Sequence, residues 1–398
     1  MREASSFKDA PMNTKPFLLA SILLVAAGAA RSQGGVGGYP FDTPADPRSV
    51  AMGESFVALP SNPLALMYNP AGLAGLSGIS VSYSLRRLDW VPATDEWRLS
   101  SVNATVATSF GVFAAQYNRK SMGTLPVTTS ASPDGDGTEM TLYSHDFAVG
   151  YALRLPKGPA LGVTAKYYDF VESASGPSSG QILPWKTTPA YLFDAGLVYT
   201  LPLLHGQRSI QDSITLGMSY QNIGTHWKVA TTYLSTGAVL VSSQEITPPQ
   251  YFRIGWSYAL KVLPPDGGDL SPFAAVLSGE FRSLQSSDPT YTVTGFHTAT
   301  SFWGFGLECT IFEFLSLRGG ASFKPYTDFE GEEDRPAFRY GAALVIPMRR
   351  IGADLPLTLS LQYTVIPLNQ LPYYFASGEE QTSLSAFSIG IQYTGSPF

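Results

Sequence analysis

Ser144-His145-Asp146 places the three side-chain types of a nucleophilic triad side by side. Such a triad needs a base to take the serine proton and an acid to orient that base. The flanking residues alternate apolar and polar, which reads as a strand, and neighbours on a strand point to opposite faces. His145 therefore cannot meet Ser144 and Asp146, and the triplet is discounted. The other histidines, His205, His226 and His297, belong to no catalytic pattern. No H-E-x-x-H, G-x-S-x-G or phosphate-cradling loop occurs. The chain reads as a non-enzyme without a cofactor.

Metal chemistry has one weak candidate. DGDGTE (134–139) could offer Asp134, Asp136 and Glu139 to Ca²⁺, a cation that takes oxygen ligands. The spacing is not that of an EF-hand, and a flexible acidic turn is the simpler reading. FEGEEDR (329–335) reads as a solvated acidic face. Cys309 is the single cysteine, which excludes an internal disulfide and a cysteine-based zinc site.

A larger set of charges lies in the middle of alternating segments: Lys166, Asp194, Arg253, Glu280, Arg282, Glu308, Arg318 and Arg339. All fall on the polar face of their segment. Glu280 and Arg282 are two apart and share it, with Arg253, Glu308 and Arg318 on neighbouring segments. Opposite signs in one place predict mutual neutralisation, a structural network in an interior, ahead of a substrate site.

The elements that carry these charges are strands. In PQYFRIGWSYALK (249–261), Phe252, Ile254, Trp256, Tyr258 and Leu260 share one face, and Tyr251, Arg253, Gly255 and Ser257 the other. LPLTLSLQYTVI (355–366) repeats the pattern. Period-two alternation defines strands with one apolar and one polar face. About fourteen such segments follow one another: 78–89, 97–109, 111–121, 142–155, 160–172, 190–202, 211–223, 249–261, 271–283, 297–309, 313–323, 335–347, 355–366 and 383–394. Most exceed the usual strand length and suit tilted membrane strands, which need roughly 9–11 residues in the hydrocarbon. Short connections alternate with long ones such as 122–141, 173–189, 224–248 and 367–382. Outer-membrane barrels sort their connections this way, with short turns periplasmic and long loops outside. An Arg or Lys facing lipid at midplane costs about 2–4 kcal/mol, so the polar face must look inward. The expected fold is all-β: a transmembrane antiparallel barrel of about fourteen strands, with both termini periplasmic.

Composition agrees. Only 14% of the 398 residues are charged, 13% are aromatic, and net charge is −6. That balance argues against nucleic acid, which demands clustered Lys and Arg. Mean hydropathy is only +0.04, too low for a bundle of membrane helices. The one long apolar run, FLLASILLVAAGAA (17–30), follows Arg2, Lys8 and Lys15 and precedes Ala30-Arg31-Ser32. This is the layout of a cleaved secretory signal, residues 1–32, rather than a membrane anchor. The last strand alternates Phe387, Ile389, Ile391 and Tyr393 before Phe398. An aromatic end of this kind resembles the signal read by the outer-membrane barrel assembly machinery, although Pro397 is unusual there.

Residues 33–77 remain. They are too short for a domain and rich in Gly, Pro, Ala and Leu, and they precede strand one. DPRSVAMGESFVALPSNPLALMYNPAGLAGL (46–76) resembles the N-terminal signature of the PorV/PorQ family, a branch of the FadL-type outer-membrane proteins. The matching residues are Arg48, Met52, Gly53, Phe56, Val57, Ala58, Tyr68, Asn69, Pro70, Ala71, Gly72 and Leu73. QNIG (221–224) and TPPQYFRIGWSY (247–258) also resemble that family. The resemblance implies that 33–77 form a hatch or plug inside the barrel of 78–398, with Asn69, Pro70, Ala71 and Gly72 in it. It further implies passage of hydrophobic or amphipathic small molecules across the outer membrane. Alternatively, it implies an accessory of type IX secretion that holds exported protein cargo at the cell surface. Small inward positions such as Gly150, Gly196 and Gly217 are expected to leave room in the lumen.

Overall fold

A computed structural model describes residues 44–87, 97–126, 134–156, 158–177, 186–203, 209–235, 238–246, 248–264, 270–285, 301–323, 327–328, 331–332, 336–367 and 383–395. The signal segment 1–32, Phe398, His205 and His297 lie outside the described residues, as does most of FEGEEDR.

Fourteen antiparallel strands close into a barrel, each paired with its neighbours in the barrel order. They begin with β1 (Ile79–Arg87), β2 (Trp97–Thr108), β3 (Gly111–Pro126), β4 (Glu139–Arg154) and β5 (Ala160–Ser175). After a short outer strand β6 (Lys186–Thr188) come β7 (Ala190–Pro202) and β8 (Ile210–Gly224). Two more outer strands, β9 (Trp227–Ser235) and β10 (Ala238–Ile246), precede β11 (Tyr251–Val262), β12 (Phe273–Leu284), β13 (Ser301–Ile311) and β14 (Leu315–Phe323). An outer pair, β15 (Thr327–Asp328) and β16 (Gly331–Glu332), leads to β17 (Pro336–Pro347), β18 (Leu357–Pro367) and β19 (Ser383–Tyr393). The seam closes in register, from Ile79 opposite Tyr393 to Arg86 opposite Ala386.

Every segment predicted from alternation overlaps one barrel strand, with ends that differ by a few residues. Two long connections were expected as loops and instead carry structure. Strands β6, β9 and β10 form a separate three-stranded sheet in the order β10-β9-β6. No lipid imposes an inside and an outside on these strands, so the alternation that betrays the wall is missing from them.

The wall reads the way a lipid-facing sheet must. Along β13, Trp303, Phe305 and Leu307 are exposed, while Phe302, Gly304, Gly306 and Glu308 are buried. Along β19, Phe387, Ile389 and Ile391 face out and Ala386, Ser388 and Gly390 face in. Outward aromatics pair across strands, as half-buried Phe281 with exposed Trp303 at 4.6 Å between centroids. A continuous apolar belt of this size on an outer surface is a surface for lipid. No helix among the described residues is long and apolar enough to cross a membrane. Two register shifts interrupt the ladder, between Ser121 and Thr124 of β3 and opposite Asp194 of β7.

Candidate functional site

The interior is occupied by residues 44–78. Proline, glycine and capping side chains shape this segment into short turns, because strands would have no edge to pair with there. Asp46 caps a helix over Pro47–Ala51, its carboxylate accepting from the Arg48 and Ser49 N–H groups at 3.1 and 3.0 Å. Burial raises the Asp46 carboxyl above its ordinary pKa, against those hydrogen bonds and the nearby Arg318 and Arg48. Gly53 and Glu54 follow with φ of +63° and +62°, turning the chain back. A 3₁₀ turn at Ala65–Met67 leads to Asn69, which caps a second over Pro70–Gly75.

Asn69 answers for the Asn-Pro-Ala-Gly motif. Its Oδ1 accepts from the Ala71 N–H at 3.1 Å. Its Nδ2 donates to the Val57 carbonyl at 2.7 Å and to the Leu197 carbonyl of β7 at 3.0 Å. One carboxamide thus caps a turn, ties the segment to itself and ties it to the wall. Pro70 sits at the start of the turn, where its missing N–H costs nothing.

The charges expected in one network are divided among three clamps, and each clamp reaches the inner segment. Glu280 accepts from the Phe56 and Val57 N–H groups at 2.7 and 2.8 Å through one oxygen, and from Arg253 at 2.6 Å through the other. Glu308 lies between Arg318 of the wall, at 2.5 Å, and Arg48 of the segment, which binds it twice, at 2.7 and 2.9 Å. Arg339 pairs with Glu54 of the segment and donates to Ser322. Arg282 stands apart from these clamps, its guanidinium over the Tyr251 and Phe302 rings at 5.0 and 4.4 Å. The pairings of Arg48, which the signature names without a role, and of Glu54 were missed from sequence. Their partners lie 260 and 285 residues away, and no local pattern carries such a pairing.

The small residues of the wall do not leave space, which corrects the expectation for Gly150, Gly196 and Gly217. A Cβ added at Gly196 would stand 1.9 Å from Asn69 Oδ1, at Gly217 2.2 Å from the Val57 oxygen, and at Gly150 2.2 Å from Leu66. Gly162 abuts Pro70 and Ala71, and Gly306 and Gly320 abut Met52 and Gly53. The absence of side chains lets the inner backbone lie against the wall. Leu66 and Leu73 pack into Val112, Ala114, Ala148 and Ala152. Ala71 packs on Ala160 and Val198.

A second set of polar groups lies on β3, β4, β5, β7 and β8 and satisfies itself. Lys166 meets Asp194 at 2.6 Å and Asn222 at 3.0 Å. Asn222, at φ +61° in the irregular part of the β7–β8 ladder, donates its N–H to Asp194 and its side-chain amide to the Pro249 carbonyl. Asn118 donates to Asp146 at 2.7 Å. Ser144 and Asp146 face inward, while His145 stacks with Tyr167 outside, at 6.3 Å. In the acidic turn at 134–139, Asp136 accepts from the Thr138 N–H. No group of three or more His, Cys, Asp or Glu side chains among the described residues could hold a metal.

Near the long-loop end, the inward positions mix apolar side chains with buried cations. Leu99, Tyr251, Leu284, Phe302, Ile366 and Leu384 are buried there, with buried Arg86 and Lys120 on either side of Leu99 and Arg282 opposite Phe302.

The chain matches no known family profile and no curated protein sequence. Among solved structures it is similar to the toluene transporter TodX of Pseudomonas putida, at 10% identity and a TM-score of 0.45, over 92% of this chain and all of that one (100%). It is similar to the toluene transporter TbuX of Ralstonia pickettii, at 12% identity and a TM-score of 0.42, over 92% and 99% of the two chains. A FadL homologue of Pseudomonas aeruginosa is similar at 12% identity and a TM-score of 0.45, over 91% and 100%.

Proposed function

We propose that this chain is an outer-membrane barrel that passes hydrophobic or amphipathic small molecules, with the inner segment as its hatch. The observation that carries this reading is the order of layers inside the wall. A layer of buried apolar side chains, with Arg86, Lys120 and Arg282 among them, lies toward the long loops, and beneath it a plug is held by side-chain clamps and a few hydrogen bonds rather than by covalent or sheet pairing. A hydrophobic or amphipathic ligand would leave water at that layer, and the clamps would have to yield for it to go further. Both ends of the chain are assigned to the periplasm, with the short turns. The partners are outer-membrane lipid, the assembly machinery and the small molecule itself.

Proteoliposomes carrying the purified barrel test this directly. A small hydrophobic dye should cross faster than in empty vesicles, and Asn69→Ala should change that rate while heat-modifiable gel mobility stays intact. Dye flux equal in all three preparations would remove the transport reading. The second reading, a type IX secretion accessory, draws on the hatch motif and on the sheet of β10-β9-β6, which extends the long-loop end. It predicts recovery of exported cargo with the barrel from native membranes, lost when 225–247 are shortened.

A further inference from the structure

The register shift between β7 and β8 lies where the wall meets the inner segment. Phe193 of β7 is opposite Ile223 of β8, and Ala195 is opposite Tyr220. Asp194 therefore faces two residues, Gln221 and Asn222. On a regular strand such neighbours point to opposite faces. Here both are buried, at 2% and 3% exposure, and both side chains bond to inward groups. Asn222 takes the left-handed conformation that asparagine tolerates, with φ of +61°. The extra residue is a β-bulge, a device that re-aims a side chain.

The two amides divide their partners. Asn222 bonds to the wall. Its N–H donates to Asp194 at 2.8 Å, its Oδ1 accepts from Lys166 at 3.0 Å, and its Nδ2 donates to the Pro249 carbonyl at 2.7 Å. Gln221 bonds toward the hatch. Its Nε2 donates to the Met67 carbonyl at 3.0 Å, and its Oε1 accepts from Arg253 Nε at 2.6 Å. A carbonyl only accepts and a guanidinium only donates, so these partners fix which way the amide points. Arg253 in turn donates to Glu280, which holds the Phe56 and Val57 N–H groups. Gln221 thus reaches the second half of the hatch directly and the first half through Arg253 and Glu280. The halves meet each other where Asn69 donates to the Val57 carbonyl and Tyr68 donates to Ser49.

We propose that the Gln221–Asn222 bulge is a joint that couples the wall to the hatch, with Gln221 as its positioning residue. A bulge interrupts the ladder, so side chains hold the chain path there. Loosening Asp194, Lys166 and Asn222 then withdraws Gln221 and frees both halves of the hatch together. The inference rests on the inner segment being the hatch of the transport reading. Dye flux tests that reading and exchange coupling tests the joint, so either can fail alone.

Hydrogen exchange on the full refolded barrel, read over 56–58 and 65–69, provides the test. D194N removes the charge opposite Lys166 and keeps the shape. It should raise exchange in both stretches about tenfold, the scale of one weakened charge-assisted bond. Q221L should do the same, and D194N added to Q221L should change them by less than about twofold, because coupled sites are not additive. Q221E keeps the acceptor for Arg253 and loses the donor to Met67. It should free 65–69 and leave 56–58 seated, a split that general loosening does not give. N222G accepts the backbone conformation without the side chain, should act as D194N does, and replaces it if D194N fails to fold. An effect of D194N or N222G undiminished in the Q221L background would overturn the joint. So would exchange that rises at 190–195 and 219–224 with the hatch unmoved, or equal loosening of both stretches by Q221E.

Discussion

The two sides of the lumen hold the same inner segment by different physics. Toward β11–β18, the wall presents charges whose partners belong to the segment: Glu280 to its backbone, Glu308 to Arg48 and Arg339 to Glu54. Toward β3–β8, the wall settles its own charges in the Lys166–Asp194–Asn222 and Asn118–Asp146 groups. The segment meets that side mainly through Leu66, Leu73 and Ala71 against alanines, valines and glycines. One side is specific in direction and intolerant of a missing partner. The other is specific in shape and intolerant of added volume. A hatch that moves would break charge-assisted bonds on one side and, on the other, slide past close-packed alanines and glycines while breaking neutral hydrogen bonds from Asn69 to the Leu197 carbonyl and from Ser219 and Gln221 to the Tyr68 and Met67 carbonyls.

That contrast can be broken at several places. Glu308→Ala leaves buried Arg318 and half-buried Arg48 around a lost counter-ion, and should destabilise the seated segment by up to about 3–5 kcal/mol. Hydrogen exchange over 44–78 should rise steeply while the barrel strands stay protected. Gly196→Ala inserts a methyl where Asn69 Oδ1 stands, and should cost about 1–3 kcal/mol by the same readout, with no change in any charge. Asn69→Ala removes a cap and two cross-links, and about 1–2 kcal/mol is expected.

The smallest effect sharpens the comparison through pH. Burial raises the folded-state pKa of Asp46 above its unfolded value. Its contribution is therefore fully present below the unfolded pKa and lost as pH rises through the folded one. Asp46→Asn keeps a capping oxygen without the charge. It should change stability at neutral pH by less than about 0.5 kcal/mol and remove that fall from the pH profile of 44–78 exchange. An unaltered profile would show that Asp46 is not the group responsible.

The wall was legible because lipid enforces a rule on every strand. Trp256 must face out where Arg253 and Ser257 face in, so each segment announces both its type and its orientation. The contents of the wall were much less legible. Asn69 could be placed by its motif, but its bonds to Val57 and Leu197 could not. Gly196 has one spelling for two opposite meanings, an empty position and a fully occupied one. Arg48 and Glu54 lie in a short apolar segment whose counter-ions are strands away. Outer strands β9 and β10 escaped because nothing forces their two faces apart.

The position of the inner segment in the chain has a kinetic consequence. It is synthesised first, yet Thr364 of β18 donates to the Pro47 carbonyl across 317 residues. Contacts of that separation form late. The segment must therefore wait, unsatisfied, for nearly the whole wall to be made. The seam between β1 and β19 joins the strand that follows the segment to the last strand of the wall. Closing that seam and seating the segment are then one event, and a chaperone that held the seam open would be guarding an unburied stretch of Leu66, Leu73 and Phe56.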